Sequence, residues 1–337
     1  MIFSRLDSTL MIKHFTHVVA AACFTAIAVS AQAGVTNDIP SCYAANHIKP
    51  VEGGVDHELF IAIDQTTVFD EKLQAQIAEM AGKAIRPAGA YTLFDFSAFS
   101  QGHYTEVVTR GVIESPIPEK LRDDISERAL RNFDACMAGQ SAFAKKALLT
   151  SIGRVESVAT NDLAKSDILA ALKDISDKVR ASPASDKVVL LASDMLENSS
   201  VSSFYSHNAV RRIDPQVEMK KAAAAGLIGD FGGARVYVIG AGLLAGDAKV
   251  RNVYRDPQTM GALKEFWMLY FQKSNAKVGE FGAPALLGAV GGEGAGDRET
   301  FKGSVMKGPS PAFADARTGR PLRQQCGGLR PVVWRRR

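Results

Sequence analysis

The run Val188-Val189-Leu190-Leu191-Ala192, stopped at once by Ser193-Asp194, decides how this chain folds. Five consecutive apolar residues leave no polar face, so the segment suits a strand covered on both sides, as in the middle of a parallel sheet. His57-Glu58-Leu59-Phe60-Ile61-Ala62-Ile63 reads the same way and also halts on a carboxylate, in Asp64-Gln65-Thr66-Thr67. A third run, Ala234 to Ile239, ends at Gly240.

Around these strands the spacing changes to that of helices. Between Phe69 and Lys83, Leu73, Ile77, Met80 and Ala81 recur on one stripe, and Pro87 and Gly89 end it. Tyr91 to Phe99 and Tyr104 to Ile113 are rich in β-formers on either side of Ser100-Gln101-Gly102-His103, which predicts an antiparallel hairpin. Helical spacing returns from Pro118 to about Ser157, with a break expected at Gly139, and again over Ile168–Val179, Val217–Leu227 and Met260–Ser274. The alternation predicts an α/β fold: a doubly wound, mostly parallel sheet with helices on both faces and one antiparallel hairpin. Ligands of such sheets gather beyond the carboxyl ends of the strands, and Asp64 and Asp194 fall at two such ends.

The 337 residues suffice for a sizeable core, and the 46% hydrophobic content is that of a globular protein. The net charge of +4 misleads, because residues 292–337 alone hold ten Lys/Arg against four Asp/Glu. The body therefore has no basic surface for nucleic acid, which is excluded as a partner. The span 276–337 is expected to be a disordered Gly/Pro/Arg-rich tail; the change of character past residue 292 also fits an out-of-frame extension. At the other end, Lys13 and His14 precede the apolar run Val18–Val29 and then Ser30-Ala31-Gln32-Ala33, the order of a signal peptide over residues 1–33 cleaved after Ala33. Ala20-Ala21-Ala22-Cys23 is a rival lipoprotein box without its usual leucine. A periplasmic or secreted product with no transmembrane segment is expected. Cys23 leaves with the signal and Cys326 lies in the tail, so Cys42 and Cys136 are expected to pair as one disulfide, two separate buried thiols being the alternative.

Three polar sites matter together: Asp64-Gln65-Thr66, Ser166 ahead of Ile168-Leu169-Ala170-Ala171-Leu172, and Asp194. With them the chain resembles the von Willebrand factor A (vWA) domain family, over residues 57–275 and after an N-terminal extension of residues 34–56. That family's metal-ion-dependent adhesion site is written D-x-S/T-x-S after the first strand, a Thr five residues before an Ala-Leu pair, and an Asp ending a later apolar strand. The resemblance matches Asp64 to the first Asp, Thr66 to the first hydroxyl, Ser166 to the Thr and Asp194 to the later Asp. Val68 stands where the second hydroxyl belongs, and Met195 where a Gly is common.

The resemblance implies a Rossmann-like, vWA-type fold and a protein-interaction or assembly module of a bacterial-type envelope. Asp64, Thr66, Ser166 and Asp194 would be both its partner-binding residues and its metal ligands. Mg2+ is the implied cofactor, held weakly or not at all, because Val68 removes an oxygen from a cation that demands oxygen ligands. The same residues admit a purely structural reading. Thr67-Val68-Phe69-Asp70 fits a capping pattern, and Ser166 suits a helix cap.

Other chemistry is thinly supported. Gly240-Ala241-Gly242-Leu243-Leu244-Ala245 has the letters of a dinucleotide turn, but no second strand with an acidic end follows, so it reads as a strand-exit turn. His47, His57, His103 and His207 show no metal-site spacing. The alternative function, an extracytoplasmic metal-assisted hydrolase, would use Asp64 or Asp194 with a metal or His207; an enzyme is the less favoured reading. Leu263, Phe266, Trp267, Tyr270 and Phe271 form a stripe expected to pack in the core, and Ser199 to Tyr205 a polar insertion on the rim beside Asp194.

Overall fold

The computed structural model describes residues 37–51, 54–100, 103–161, 166–206, 209–244, 256–288 and 290. The expected signal peptide and its cleavage site, Cys23, Cys326, His207 and the expected tail from residue 291 lie outside them. In chain order the elements are α1 (Cys42–Ala45), β1 (His57–Asp64), α2 (Glu71–Lys83), β2 (Gly89–Ser100) and β3 (His103–Ile113). After a 3-10 turn at Glu119–Leu121 come α3 (Glu127–Ser157), α4 (Ile168–Ala181), β4 (Asp186–Ala192), β5 (Tyr205–Ser206) and β6 (Ala209–Val210). The last are α5 (Pro215–Ala224), β7 (Arg235–Ile239), α6 (Pro257–Lys273) and β8 (Lys277–Phe281).

The main sheet has the order β3-β2-β1-β4-β7-β8. Neighbours run parallel except β2 and β3, which form the expected antiparallel hairpin. The chain thus builds outward from β1 on one side, then returns to β4 and builds outward on the other. The order reverses between β1 and β4, and that is where an open sheet forms its crevice.

Every residue of β1 is buried, because the strand has a neighbour on each side and helices on each face. Phe60, Ala62, Val189 and Leu191 pack with α4, α5 and α6, while Leu59, Ile61, Ile63 and Leu190 pack with α2 and α3. The aromatic stripe of α6 is core: Phe266, Trp267, Tyr270 and Phe271 are fully buried. Each such side chain contributes roughly 1.5–3 kcal/mol.

Several expectations are corrected. α2 is capped by Asp70, whose carboxylate accepts from Lys72 and Leu73 N–H, so Thr67 is not its cap. Gly139 does not break α3, which runs 31 residues. A mid-helix glycine costs about 1 kcal/mol against alanine. That is outweighed by burial of Ala144, Leu148, Ile152 and Val155 along one face. The body also extends past residue 275, the expected domain end. Lys277–Phe281 pair with β7, and Gly282 N–H donates to Val238 O at 2.8 Å. A short, half-covered edge strand needs few apolar residues, and Lys-Val-Gly-Glu-Phe supplies two, too few to register as a strand. The N-terminal extension is likewise packed, with Cys42 and Tyr43 buried against Ile117 and Phe133.

Cys42 and Cys136 form a disulfide between α1 and α3, with Cα atoms 5.7 Å apart. No helix among the described residues is long and apolar enough to cross a membrane.

Candidate functional site

Asp64 ends β1, and Asp194 lies two residues beyond β4, so both stand at the carboxyl ends of the strands that flank the order reversal. Both side chains are buried, Asp64 fully and Asp194 at 5% exposure. The structure surrounds Asp64 with donors. Thr66 gives its N–H (2.9 Å) and hydroxyl (2.6 Å) to Oδ1, and Ser193 gives its hydroxyl to Oδ2 at 2.7 Å. The Ser193 oxygen in turn accepts Met195 N–H. Thr67 lies between the two acids: its hydroxyl serves Asp64, and its oxygen accepts Asp194 N–H at 3.2 Å.

Asp194 is held as tightly. Leu196 N–H donates to Oδ1 at 2.8 Å, and Tyr205 donates its phenol hydroxyl to Oδ2 at 2.6 Å. The backbone carbonyl of Asp194 accepts Gly242 N–H at 2.7 Å, so the turn after β7 buttresses it. Gly240 and Gly242 have φ of +100° and +78°, and a Cβ at Gly240 would strike Phe69 and the Ser193 carbonyl. Glycine is required there for close approach to the β4 exit. Met195, where the resemblance implies glycine, takes φ +59° with its side chain buried, and its carbonyl accepts the Trp267 indole N–H at 2.9 Å.

Two carboxylates this close and this dry cannot both ionise easily. Burial pushes Asp64 up, against the pull of its hydrogen bonds. Burial and then the charge of Asp64 push Asp194 up to about 8. Burial also raises Glu197 to about 7.

Ser166 is buried at 4% exposure and linked through backbone hydrogen bonds in both directions to Asn198, on the segment leaving Asp194. It is not the cap of α4. That position is Asp167, without a side-chain capping bond, and the carboxylate of Glu197 accepts Leu169 N–H at 2.9 Å. Ser166 Oγ and Glu197 Oε1 are buried without a hydrogen-bond partner. The structure therefore brings Asp64, Thr66 and Asp194 together and ties Ser166 to the same edge. Ser193, Thr67, Tyr205, Glu197 and Gly242 escape the sequence reading. The polar pair Ser193-Asp194 and the insertion through Tyr205 are visible there, but the direction of their hydroxyls is not.

As a seat for Mg2+ the residues fit poorly. The chemistry of the donors is right and Ser166 Oγ has no partner. Yet both oxygens of each aspartate already accept hydrogen bonds. Val68 is 41% exposed and brings hydrocarbon where the resemblance implies an oxygen. Among the described residues, no group of three or more His, Cys, Asp or Glu gathers as a metal cluster.

No family model matches the chain, and no curated protein matches it. Among solved structures, a mutant of the PilB minor pilin from Streptococcus sanguinis is similar at 12% identity and a TM-score of 0.35, over 69% of this chain and 58% of that one. This chain thus spans less than two thirds of the length of that protein, and a likeness at this level carries no argument about fold or function.

Proposed function

We propose that this chain is an exported, vWA-like protein-interaction module that recognises its partner at the rim around Asp64, Thr66, Ser166 and Asp194, with little or no dependence on metal. One observation carries the reading: two buried aspartates, 130 positions apart in the chain, meet at the carboxyl ends of the two strands where the sheet order reverses. Buried carboxylates are costly, and an open sheet uses that crevice for ligands. The rim is finished by an insertion between β4 and α5, whose exposed Ser200 lies beyond the buried acids. Thr66, Val68 and Ser200 are the side chains through which a partner would be met. Export is supported by the Cys42–Cys136 disulfide, which persists in oxidising compartments.

The alternative, a metal-assisted hydrolase using Asp64 or Asp194 with a metal or His207, calls on a histidine that lies outside the described residues.

The test is capture of envelope proteins from the source cell by the immobilised mature chain, comparing Val68→Asp and Ser200→Arg with Lys83→Glu at the far end of α2. Loss of the same captured protein with both rim variants, and retention with Lys83→Glu, supports the reading. Equal capture by all three, each with an unchanged melting temperature, refutes it.

A further inference from the structure

A cleft of about 440 Å3 lies between α3 and β3, away from the strand-end acids. Val108 and Thr109 line it from the sheet. From the helix come Phe143, then Lys146 and Ala147, then Thr150 and Ser151, then Arg154, a stripe at one-turn spacing. Character is segregated along that stripe. Phe143 and Ala147 make an apolar end, and Thr150, Ser151 and Arg154 a hydroxylated, cationic one; from Phe143 to Arg154 the helix rises about 16 Å. The Phe143 ring is 50% exposed, whereas Phe133 on the same helix is fully buried.

The charge of the cleft is one-sided. From Ala135 to Val155, α3 holds Lys145, Lys146 and Arg154 and no acid. Its ion pairs lie near its start, Glu127 with Arg131 and Asp134 with Arg122, and among the described residues none engages Lys146 or Arg154. The acid that lines the cleft, Asp38, is supplied with donors by β3: its carboxylate accepts the Thr109 hydroxyl at 2.6 Å and Arg110 N–H at 3.1 Å. Asp38 N–H also donates to Arg110 O at 2.8 Å, and the Cys42–Cys136 disulfide ties the segment that follows to α3. This wall is therefore fixed, and the lining keeps two cations against one acid already provided for.

We propose that this cleft binds an anionic amphiphile, of which a medium-chain carboxylate is the simplest. Its head group meets Arg154 and the Thr150 and Ser151 hydroxyls, and its hydrocarbon lies along Ala147 and Phe143, with Lys146 adding positive potential beside the path. Charge complementarity selects the anion, because a charge-assisted hydrogen bond to a guanidinium is open only to an acceptor. The exposed ring selects the tail, since covering apolar surface is favourable in proportion to the area removed from water. The volume falls in the ordinary range of small-molecule sites. The site shares no residue with the rim around Asp64 and Asp194 and does not depend on the recognition reading.

The experiment is calorimetric titration of the mature chain with dodecanoate below its micelle concentration. Dodecyltrimethylammonium, with the same tail and the opposite charge, and acetate, with the head alone, are the comparison probes. Wild type is expected to bind dodecanoate saturably, one per chain, and each comparison probe about tenfold more weakly or less. Arg154→Glu should weaken dodecanoate about tenfold and Phe143→Ala severalfold, both with the wild-type melting temperature, while Lys83→Glu on α2 should bind as wild type does. The basic residues 292–337 are common to all these chains, so they do not produce a difference between them. No saturable dodecanoate binding by wild type overturns the proposal, and so does equal binding of dodecyltrimethylammonium, whatever the folding of the variants. Full retention of dodecanoate binding by folded Arg154→Glu and Phe143→Ala overturns it as well.

Discussion

At the scale of single residues, Met195 shows how packing outweighs backbone strain. A left-handed conformation costs a non-glycine residue about 1–2 kcal/mol, and glycine would relieve it. Removing a buried methionine side chain costs roughly 2–5 kcal/mol, so the packing term wins. Met195→Gly is expected to destabilise the protein by about 1–3 kcal/mol in a urea titration, from those same opposing terms; a gain in stability would contradict this account. The Trp267 indole holds the same turn through the Met195 carbonyl. Trp267→Phe leaves that carbonyl short of its donor, and the loss should be about 1–3 kcal/mol by the same measurement.

At the scale of elements, α3 is where sequence and structure part most visibly. Gly139 reads as a punctuation mark because glycine is a poor helix former, yet a Cβ there would meet no atom within 4 Å. Gly139→Ala should therefore stabilise by roughly 0.5–1 kcal/mol, seen as a higher melting temperature; destabilisation would mean that the helix needs its glycine. β8 is the opposite case, an element whose sequence is too brief to announce it. Its following turn matters to the site: Gly240 N–H donates to Pro284 O at 2.7 Å, and Ala241 N–H to Gly282 O at 3.2 Å. These bonds set the turn that carries Gly242 to Asp194. Ending the chain at residue 275 should give a strongly destabilised product, whereas ending it at 292 should retain the wild-type transition; equal melting of the two would refute a structural role for β8.

At the scale of the whole molecule, buried acids set the pH dependence. The folded state raises Asp194 to about 8, Glu197 and Glu156 to about 7, chiefly by burial, and Asp95 to about 6 by burial and the nearby Glu106. Ordinary carboxyls in the unfolded chain lose their protons near pH 4. Between about pH 4 and 8 the folded state therefore binds more protons than the unfolded one, and stability falls as pH rises through that window. The melting temperature is expected to be highest in mild acid and to drop by several degrees by pH 8. Asp194→Asn should flatten the slope, and an unchanged slope would remove Asp194 from this role. The disulfide acts at the same scale. It joins residues 94 positions apart, and opening so long a loop should cost about 4–5 kcal/mol on the chain-entropy view, measured as a reduced midpoint for Cys42→Ser with Cys136→Ser.

What the sequence determined by itself follows from local chemistry. Continuous apolar runs at residues 59–63 and 188–192 can only be satisfied inside a covered sheet, and alternation with helical spacing makes that sheet mostly parallel; the expected pairing of Cys42 with Cys136 is formed. The carboxylates at the strand ends were legible for the same reason, since a polar residue stops an apolar run. The tertiary structure alone decided what those carboxylates do. Whether Thr66, Thr67, Ser193 and Tyr205 turn their hydroxyls toward Asp64 and Asp194, and whether Glu197 rather than Ser166 caps α4, depends on contacts between segments distant in the chain. A hydrogen bond is directional over a few ångströms, and no periodicity in one segment encodes the position of a donor in another.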